Sequence, residues 1–191
     1  ERTWLNRWTQ ADAQAFDAKR WIDDLGLAMT VANGDQITLG FDGSRWKDTT
    51  GLIATHVETG WQWVAGFWKP EDYDEDGIDP DDVNAVFYDV AEKFKVLRVY
   101  GDPAAGWAEQ LAKWSAKLGP KVVAEFYTDA RNLRKTATMC RTYAAAIKSG
   151  EVTNDKSDDF AWHIGAAQKR DIKMVDEDGT PLWVMSKERH D

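Results

Sequence analysis

Between residues 36 and 127 the chain carries strand and helix patterns in an order that few folds accommodate. Three strand patterns come first, at residues 36–41, 51–57 and 61–68, with short links between them. Each is a short apolar run or alternates large residues with small or polar ones, as partly buried strands do. Because the links are short, we expect the three strands to form an antiparallel meander.

Two further strand patterns each follow a helical pattern. Apolar residues at helical spacing between residues 79 and 94, with Asp79 as the expected N-cap, precede a strand at residues 96–100. A second helix at residues 107–118 precedes a strand at residues 122–127. A helical crossover lets the fourth strand lie beside the first and parallel to it. The sequence therefore predicts an α/β fold whose five-stranded mixed sheet, a three-strand antiparallel meander plus two parallel strands, is flanked by helices.

The remaining segments are predicted to be helices at residues 132–149 and 157–169 and a hairpin at residues 172–186. Residues 1–35 are polar and rich in aromatic side chains, and we interpret them as a connector or docking segment. Residues 36–191 then form the folded domain.

The charge of the chain is strongly and unevenly acidic. The net charge is −9, and eight of the twelve residues from Glu71 to Asp82 are acidic. Such a balance argues against a general basic nucleic-acid coat protein, but it is compatible with a metal-dependent enzyme because bound cations reverse the local field. No apolar run approaches the roughly 20 residues that span a membrane, and no signal peptide opens the sequence, so we expect a cytoplasmic protein.

Two aspartates follow the strands that are predicted to lie side by side. Asp42 comes directly after the first strand, and Asp102 follows the fourth. If these strands are adjacent and parallel, both carboxylates lie at one edge of the sheet, a common location for sites in α/β proteins. Paired carboxylates favour a hard divalent cation such as Mg²⁺ or Mn²⁺. The same spacing also suits two ordinary turn residues at strand ends, and spacing alone does not decide between these interpretations.

Four stretches of the sequence together resemble one known family. The stretch GFDGSRWKDTTGLIA, from Gly40 to Ala54, and the stretch VYGDPAAGWAEQLAKW, from Val99 to Trp114, are similar to the first and second nuclease motifs of phage terminase large subunits. Residues 125–152 and the stretch HIGAA at residues 163–167 also fit the later part of the family. The resemblance covers roughly residues 36 to 191.

The resemblance implies a ribonuclease H-like nuclease domain that cuts concatemeric double-stranded viral DNA by two-metal hydrolysis. By carry-over, Asp42 and Asp102 are the metal ligands and the catalytic acids. It also implies a preceding ATPase domain, which is not in this sequence because no GxxxxGK[ST] motif is present. Further implied partners are the portal and the small terminase subunit, in the host cytoplasm.

The third acidic ligand of the family lies on a final helix, beyond the point where this sequence stops. We therefore expect the chain to be a fragment of a longer protein that ends before its last helix, and Asp191 is not expected to be that ligand. On this expectation the isolated chain holds metal weakly and is weakly active or inactive.

Other residues near the two motifs are candidates for supporting roles. Asp48 is a candidate third acid, with a solvated turn as the alternative. Basic or aromatic side chains in two segments are candidates for DNA contacts: Arg45, Trp46, Lys47, Arg131, Arg134 and Lys135. The alternative interpretation is that both segments are ordinary solvent-exposed surface without a binding role.

Two other classes of function stay open at this stage. One is a non-catalytic DNA-docking or motor-assembly module with an incomplete metal site. The other is a relative of sugar or acyl-phosphate kinases, because the actin-like fold also opens with Asp-Gly-Ser or Asp-Gly-Thr after a strand. That fold needs a second phosphate-binding loop, which the sequence does not show.

Overall fold

The computed structural model describes residues 14–186, so the first part of the predicted connector and the segment from residue 187 to Asp191 lie outside the described residues. The described chain forms two compact units. One is the sheet unit, Met29–Arg131. The other, here called the helix–hairpin unit, combines residues 14–28 with residues 132–186.

The sheet unit contains five strands that match the predicted order. They are β1 (Gln36–Asp42), β2 (Thr50–His56), β3 (Trp61–Trp68), β4 (Lys95–Gly101) and β5 (Val123–Glu125). Within this unit the spatial order is β5-β4-β1-β2-β3. β1 pairs antiparallel with β2, and β2 with β3, whereas β4 is parallel to both β1 and β5. The predicted meander with two added parallel strands is therefore confirmed.

Two helices provide the crossovers of this unit. α2 (Pro80–Lys93) leads into β4, and α3 (Ala108–Leu118) leads into β5, while a 3₁₀ turn (Pro70–Asp72) lies before α2. The Asp79 side chain accepts a hydrogen bond from the backbone N–H of Asp81, so the predicted N-cap is confirmed.

The core between the sheet and these helices combines aliphatic side chains with five buried aromatic rings. Phe87 of α2 and Trp114 of α3 stack with centroids 3.9 Å apart, and Phe41 of β1 meets Trp114 edge-on at 5.0 Å. The buried indole N–H of Trp114 donates to the Asn84 side chain over 2.8 Å, so this polar group is satisfied inside the core. These ring contacts join β1, near its carboxyl-terminal end, to α2 and α3.

The helix–hairpin unit has three helices and three short or paired strands. They are α1 (Ala18–Asp23), α4 (Leu133–Ser149), β6 (Thr153–Asn154), α5 (Asp158–Ala166), β7 (Gln168–Val175) and β8 (Pro181–Ser186). A further 3₁₀ turn (Ala130–Asn132) comes just before α4.

Two small apolar clusters stabilise this unit. Trp21 of α1 packs against Ile147 and Ile164, and it meets the Phe160 ring edge-on at 4.9 Å. The other cluster joins Ala137 of α4 to the β7–β8 hairpin. Residues 14–28 thus pack with the carboxyl-terminal part of the chain, and the predicted boundary at residue 35 stays a prediction.

The predicted hairpin is present, but its first strand starts earlier than expected. The helix predicted to reach residue 169 ends at Ala166, since Ala167 has extended backbone angles and β7 begins at Gln168. Pairing of Gln168 with Ser186 supplies the backbone hydrogen bonds that a longer helix would have made within itself.

Among residues 14–186, none of the helices combines the length and the apolar character that crossing a membrane requires.

Candidate metal site at the carboxyl edge of the sheet

Asp42 and Asp102 lie at the ends of neighbouring parallel strands, as the sequence predicted. Phe41 of β1 is in register with Gly101 of β4. The pairing runs one step further, because the Asp102 N–H donates to the Phe41 carbonyl over 3.1 Å. The two aspartates are therefore adjacent across the β1–β4 pair.

Alternation along β1, and along β4 extended by one residue, predicts that both aspartates lie on the sheet face opposite the core. Phe41 is buried in the core, and a side chain added to its partner Gly101 would meet Leu111 of α3. Each aspartate is the next residue along its chain and so falls on the opposite face from this core. Asp42 is exposed there, whereas Asp102 is only 7% exposed.

The Asp102 carboxylate is fixed by three hydrogen bonds. Oδ1 accepts from the backbone N–H of Ala104 over 3.0 Å. Oδ2 accepts from the backbone N–H of Thr128 over 3.0 Å and from the Thr128 hydroxyl over 2.6 Å. These bonds hold the buried side chain in one orientation.

Thr128 is a residue of the site that sequence reasoning missed. It follows β5, whose end lies beside the end of β4: the Phe126 N–H donates to the Gly101 carbonyl over 2.8 Å. The available signal was positional, because β5 was predicted and the residues after a parallel strand reach the same edge as Asp102.

The loop after Asp42 is tightly constrained. The Ser44 hydroxyl accepts hydrogen bonds from the backbone N–H groups of Trp46 and Lys47, over 3.3 and 3.2 Å. The buried Thr50 hydroxyl donates to the Ser44 carbonyl over 3.2 Å. The loop that carries the predicted DNA-binding side chains therefore has a defined backbone.

Arg45 and Trp46 hold the acidic loop of the sheet unit. The Arg45 guanidinium donates to the carbonyls of Ile78 and Asp76 over 3.2 and 3.3 Å, and the Trp46 indole donates to the Asp76 carbonyl over 3.1 Å. The guanidinium also lies 5.0 Å from the centre of the Trp46 ring. Trp46 is still 49% exposed, so one part of the ring holds the loop and another part faces solvent.

These two side chains and the acidic loop line a cavity of about 610 Å³. Its other walls come from Tyr73 and Asp74 through Gly77, and from Asp79 and Pro80. The cavity is thus strongly acidic, with the Arg45 guanidinium as the cation among its lining residues.

Lys47 and Asp48 are both exposed on the same loop. Asp48 is not gathered with Asp42 and Asp102, because no group of three or more His, Cys, Asp or Glu side chains within residues 14–186 lies close enough together to hold a metal ion. The supporting role of Asp48 stays a prediction.

The second basic segment is partly occupied by interactions within the protein. The Arg131 Nε donates to both carboxylate oxygens of Asp129, over 3.0 and 2.9 Å, and its guanidinium lies 3.5 Å from the centre of the Tyr127 ring. This pairing lowers the pKa of Asp129 and raises the pKa of Arg131. On α4, Arg134 donates to the Val175 carbonyl over 3.1 Å, and Lys135 is exposed.

The ligand atoms available at the sheet edge are carboxylate oxygens, which are the type of ligand that hard divalent cations prefer. In number they are limited to those of the two strand-end aspartates, because no group of three or more His, Cys, Asp or Glu side chains that could hold a metal ion lies within the part of the chain that the structure describes. One member is exposed and the other is already oriented by Thr128 and Ala104. The residues therefore fit the oxygen part of a divalent-metal site.

No protein family model matches the sequence, and no curated protein matches it significantly. Solved structures, by contrast, match over most of the chain. The large terminase nuclease from thermophilic phage G20c, with bound magnesium, aligns with a TM-score of 0.60 and 12% identity over 93% of this chain and 90% of that chain. Further structures of the G20c nuclease hold cobalt or zinc.

Two more structures from other phages share the fold. The large terminase nuclease domain of Thermus phage P74-26 aligns with a TM-score of 0.58 and 12% identity over 90% of this chain and 84% of that chain. The HK97 bacteriophage large terminase aligns with a TM-score of 0.63 and 15% identity over 90% of this chain but only 39% of its own length. The chain therefore has the fold of large terminase nuclease domains, and the predicted α/β, ribonuclease H-like class is confirmed.

Proposed function

We propose that this chain is the metal-dependent endonuclease domain of a viral DNA-packaging terminase and that it cuts concatemeric double-stranded DNA. The observation that carries the proposal is the adjacency of Asp42 and Asp102 on one face of the sheet, at the ends of β1 and β4. The fold supports it, because the solved structures that share this fold over about nine tenths of the chain are terminase nucleases.

In this proposal Asp42 and Asp102 hold the divalent cations, Mg²⁺ or Mn²⁺, with Asp48 as a supporting acid. The bound ions would supply an activated water and stabilisation of the leaving phosphodiester oxygen. The part played by the chain is orientation, because the Asp102 carboxylate is held by its hydrogen bonds to Ala104 and Thr128.

DNA would meet the protein through basic and aromatic side chains. In the first segment, Lys47 and the exposed part of the Trp46 ring face solvent, whereas the Arg45 guanidinium is used by the acidic loop. In the second, Lys135 is exposed, and Arg131 and Arg134 make contacts within the protein. We therefore expect Lys47, Trp46 and Lys135 to contribute more to phosphate and base contacts than the three arginines.

The proposed partners are those that a terminase nuclease domain would need for DNA packaging. They are double-stranded DNA, an ATPase domain in the full-length protein, and the portal and small terminase subunit of the packaging motor. The proposed location is the host cytoplasm.

The test is cleavage of supercoiled plasmid in the presence of Mn²⁺ or Mg²⁺. We expect Asp42→Asn and Asp102→Asn each to lower the rate about 100-fold or more, because loss of a ligand removes several kcal/mol of transition-state stabilisation. Asp48→Asn should cause a smaller loss. The matched control is Asp89→Asn on α2, whose carboxylate pairs with Lys93 at 2.7 Å and lies away from the strand ends. Equal rates for the control and the Asp42 and Asp102 variants would contradict the proposal.

A second candidate function is a DNA-docking module without catalysis. It is favoured by one observation, that no group of three or more His, Cys, Asp or Glu side chains that could hold a metal ion lies within residues 14–186. Fluorescence anisotropy with labelled duplex DNA distinguishes the two. Binding without cleavage, unaffected by Asp42→Asn or Asp102→Asn, would favour the docking module over the nuclease.

A further inference from the structure

The carboxylate of Asp102 is already largely used by hydrogen bonds within the protein. A carboxylate offers about four lone-pair positions to hydrogen-bond donors or metal ions. At Asp102, the Ala104 N–H occupies one position on Oδ1, and the N–H and hydroxyl of Thr128 occupy two on Oδ2. One position, on Oδ1, is left.

We propose that Thr128 is a positioning residue that binds Oδ2 of Asp102 and thereby presents Oδ1 alone to a divalent cation. The inference rests on the proposed function, since it assigns Thr128 a role toward the cation held by Asp42 and Asp102. The hydroxyl carries the argument, because its 2.6 Å bond is the shortest of the three and the side chain is the part of Thr128 that substitution can remove.

The loop that carries Thr128 is well placed to hold this orientation. On one side it is attached to β4 through the bond from Phe126 to Gly101. On the other side Arg131 bridges the Asp129 carboxylate and the Tyr127 ring. The Thr128 hydroxyl therefore lies between residues that make contacts on both sides of it. Thr128 itself is exposed, so replacing it leaves the buried core of the sheet unit intact.

The decisive comparison is Thr128→Val with Thr128→Ser. Valine keeps the branched shape and the backbone N–H but removes the hydroxyl, whereas serine keeps the hydroxyl. Mn²⁺ binding to the full chain is measured directly, from the loss of the free-ion signal in electron paramagnetic resonance. We expect Thr128→Val to weaken binding about tenfold or more, the size seen when groups that orient a metal ligand are removed, and Thr128→Ser to restore most of it.

The matched control is Thr138→Val. The Thr138 hydroxyl is also exposed, but it donates to the Arg134 carbonyl on α4, so its loss should leave Mn²⁺ affinity unchanged. Far-ultraviolet circular dichroism at the binding temperature checks that every variant is folded.

The outcomes separate this inference from the proposed function. If Thr128→Val leaves the Mn²⁺ affinity unchanged, or if the valine and serine variants lose the same amount of Mn²⁺ affinity, the role of the hydroxyl is overturned. The nuclease proposal is then still decided by its own cleavage test. Weaker binding in Thr128→Val with binding restored in Thr128→Ser supports the positioning role whether or not the unmodified chain cleaves DNA. Absence of Mn²⁺ binding by the unmodified chain overturns the positioning role, and the nuclease proposal is decided by its own cleavage test.

Discussion

At the scale of single residues, the backbone beside Asp42 has no room for a side chain at Gly43. Its φ is +155°, and a Cβ there would collide with the Cα and the hydroxyl of Thr50. Thr50 is fully buried, and its hydroxyl donates a hydrogen bond to the Ser44 carbonyl, so moving it would disturb buried contacts and this bond. The position of Asp42 thus depends on a close approach between the two ends of its loop.

We expect Gly43→Ala to lower the free energy of unfolding by about 2–3 kcal/mol, because the chain must either strain or displace buried Thr50. Urea denaturation followed by tryptophan fluorescence measures the change. Gly40→Ala, three residues earlier on β1, is the control, since a Cβ there meets nothing within 4 Å. The control should change stability by about 0.5 kcal/mol or less. A similar loss in both variants would show that steric crowding at Gly43 is not the cause.

At the scale of elements, the acidic loop is attached to the start of α2 through Tyr73. Its hydroxyl donates to the Asp82 carboxylate over 2.9 Å, and its ring packs on the core of the sheet unit. Burial, followed by the bond to Asp82, raises the pKa of Tyr73 from 10.0 to about 12. The neutral hydroxyl is therefore the form that the fold favours.

This shift predicts a loss of stability in alkali. Between pH 10 and about 12 the unfolded chain ionises this tyrosine while the folded chain does not, so its stabilising contribution is complete below pH 10 and declines as pH rises toward 12. Tyr73→Phe should remove this contribution to the decline and leave the part that comes from Tyr143, whose pKa is also raised by burial. Denaturation midpoints across this pH range measure it.

Asp82→Asn is the companion variant for the same measurement. Because burial is the larger cause of the raised pKa, the decline should persist in part when the carboxylate is removed. A decline reduced as much by Asp82→Asn as by Tyr73→Phe would show that the charge, and not burial, is dominant.

At the scale of the whole molecule, negative charge is concentrated where the proposed substrate would approach. The net charge is −9, and the acidic segment from Glu71 to Asp82 borders the loop that carries Lys47 and Trp46. Arg45 and Trp46 keep this segment in place by binding its backbone carbonyls. The acidic segment would therefore repel a polyanion such as DNA close to Lys47 and Trp46, the side chains proposed to bind it.

We expect the double variant Asp74→Asn, Glu75→Gln to bind duplex DNA about threefold to tenfold more tightly at low ionic strength. The advantage should shrink with added salt, because the screening length falls from about 30 Å at 0.01 M to about 8 Å at 0.15 M. Anisotropy titrations over a salt series measure both effects.

The control for this experiment is Glu58→Gln, Glu92→Gln, which removes the same charge at the other end of the sheet. Glu58 lies two residues after His56, which pairs with Ile37 near the start of β1, and Glu92 lies in the last turn of α2. Equal tightening by both double variants would mean that total charge, and not the acidic segment, controls DNA binding.

Much of the fold was predictable because local patterns specify it. The strand β3 was predicted with its observed bounds, and the Asp79 cap and the Gly119 and Gly150 helix ends depend on neighbouring residues only. The adjacency of Asp42 and Asp102 followed from one topological rule applied to a helical crossover. These features need no knowledge of distant contacts.

Other features could not be predicted because they join residues that are far apart in sequence. Thr128 reaches Asp102 across 26 positions, and Arg45 reaches the Ile78 carbonyl across 33. Neither contact leaves a periodic trace in the sequence. The basic side chain of Arg45 was interpreted as a DNA contact, and that role stays a prediction alongside its observed use in holding the acidic loop.

The order of residues alone thus determined the strands, the crossovers and the edge at which the two acids meet, since each depends on periodicity and chain direction. Only the folded structure decided the orientation of Asp102, the partners of Arg45 and Trp46, and the packing of residues 14–28 with residues 132–186. The reason is physical: hydrogen bonds and core contacts depend on distances in space, and these are set when all the elements pack together.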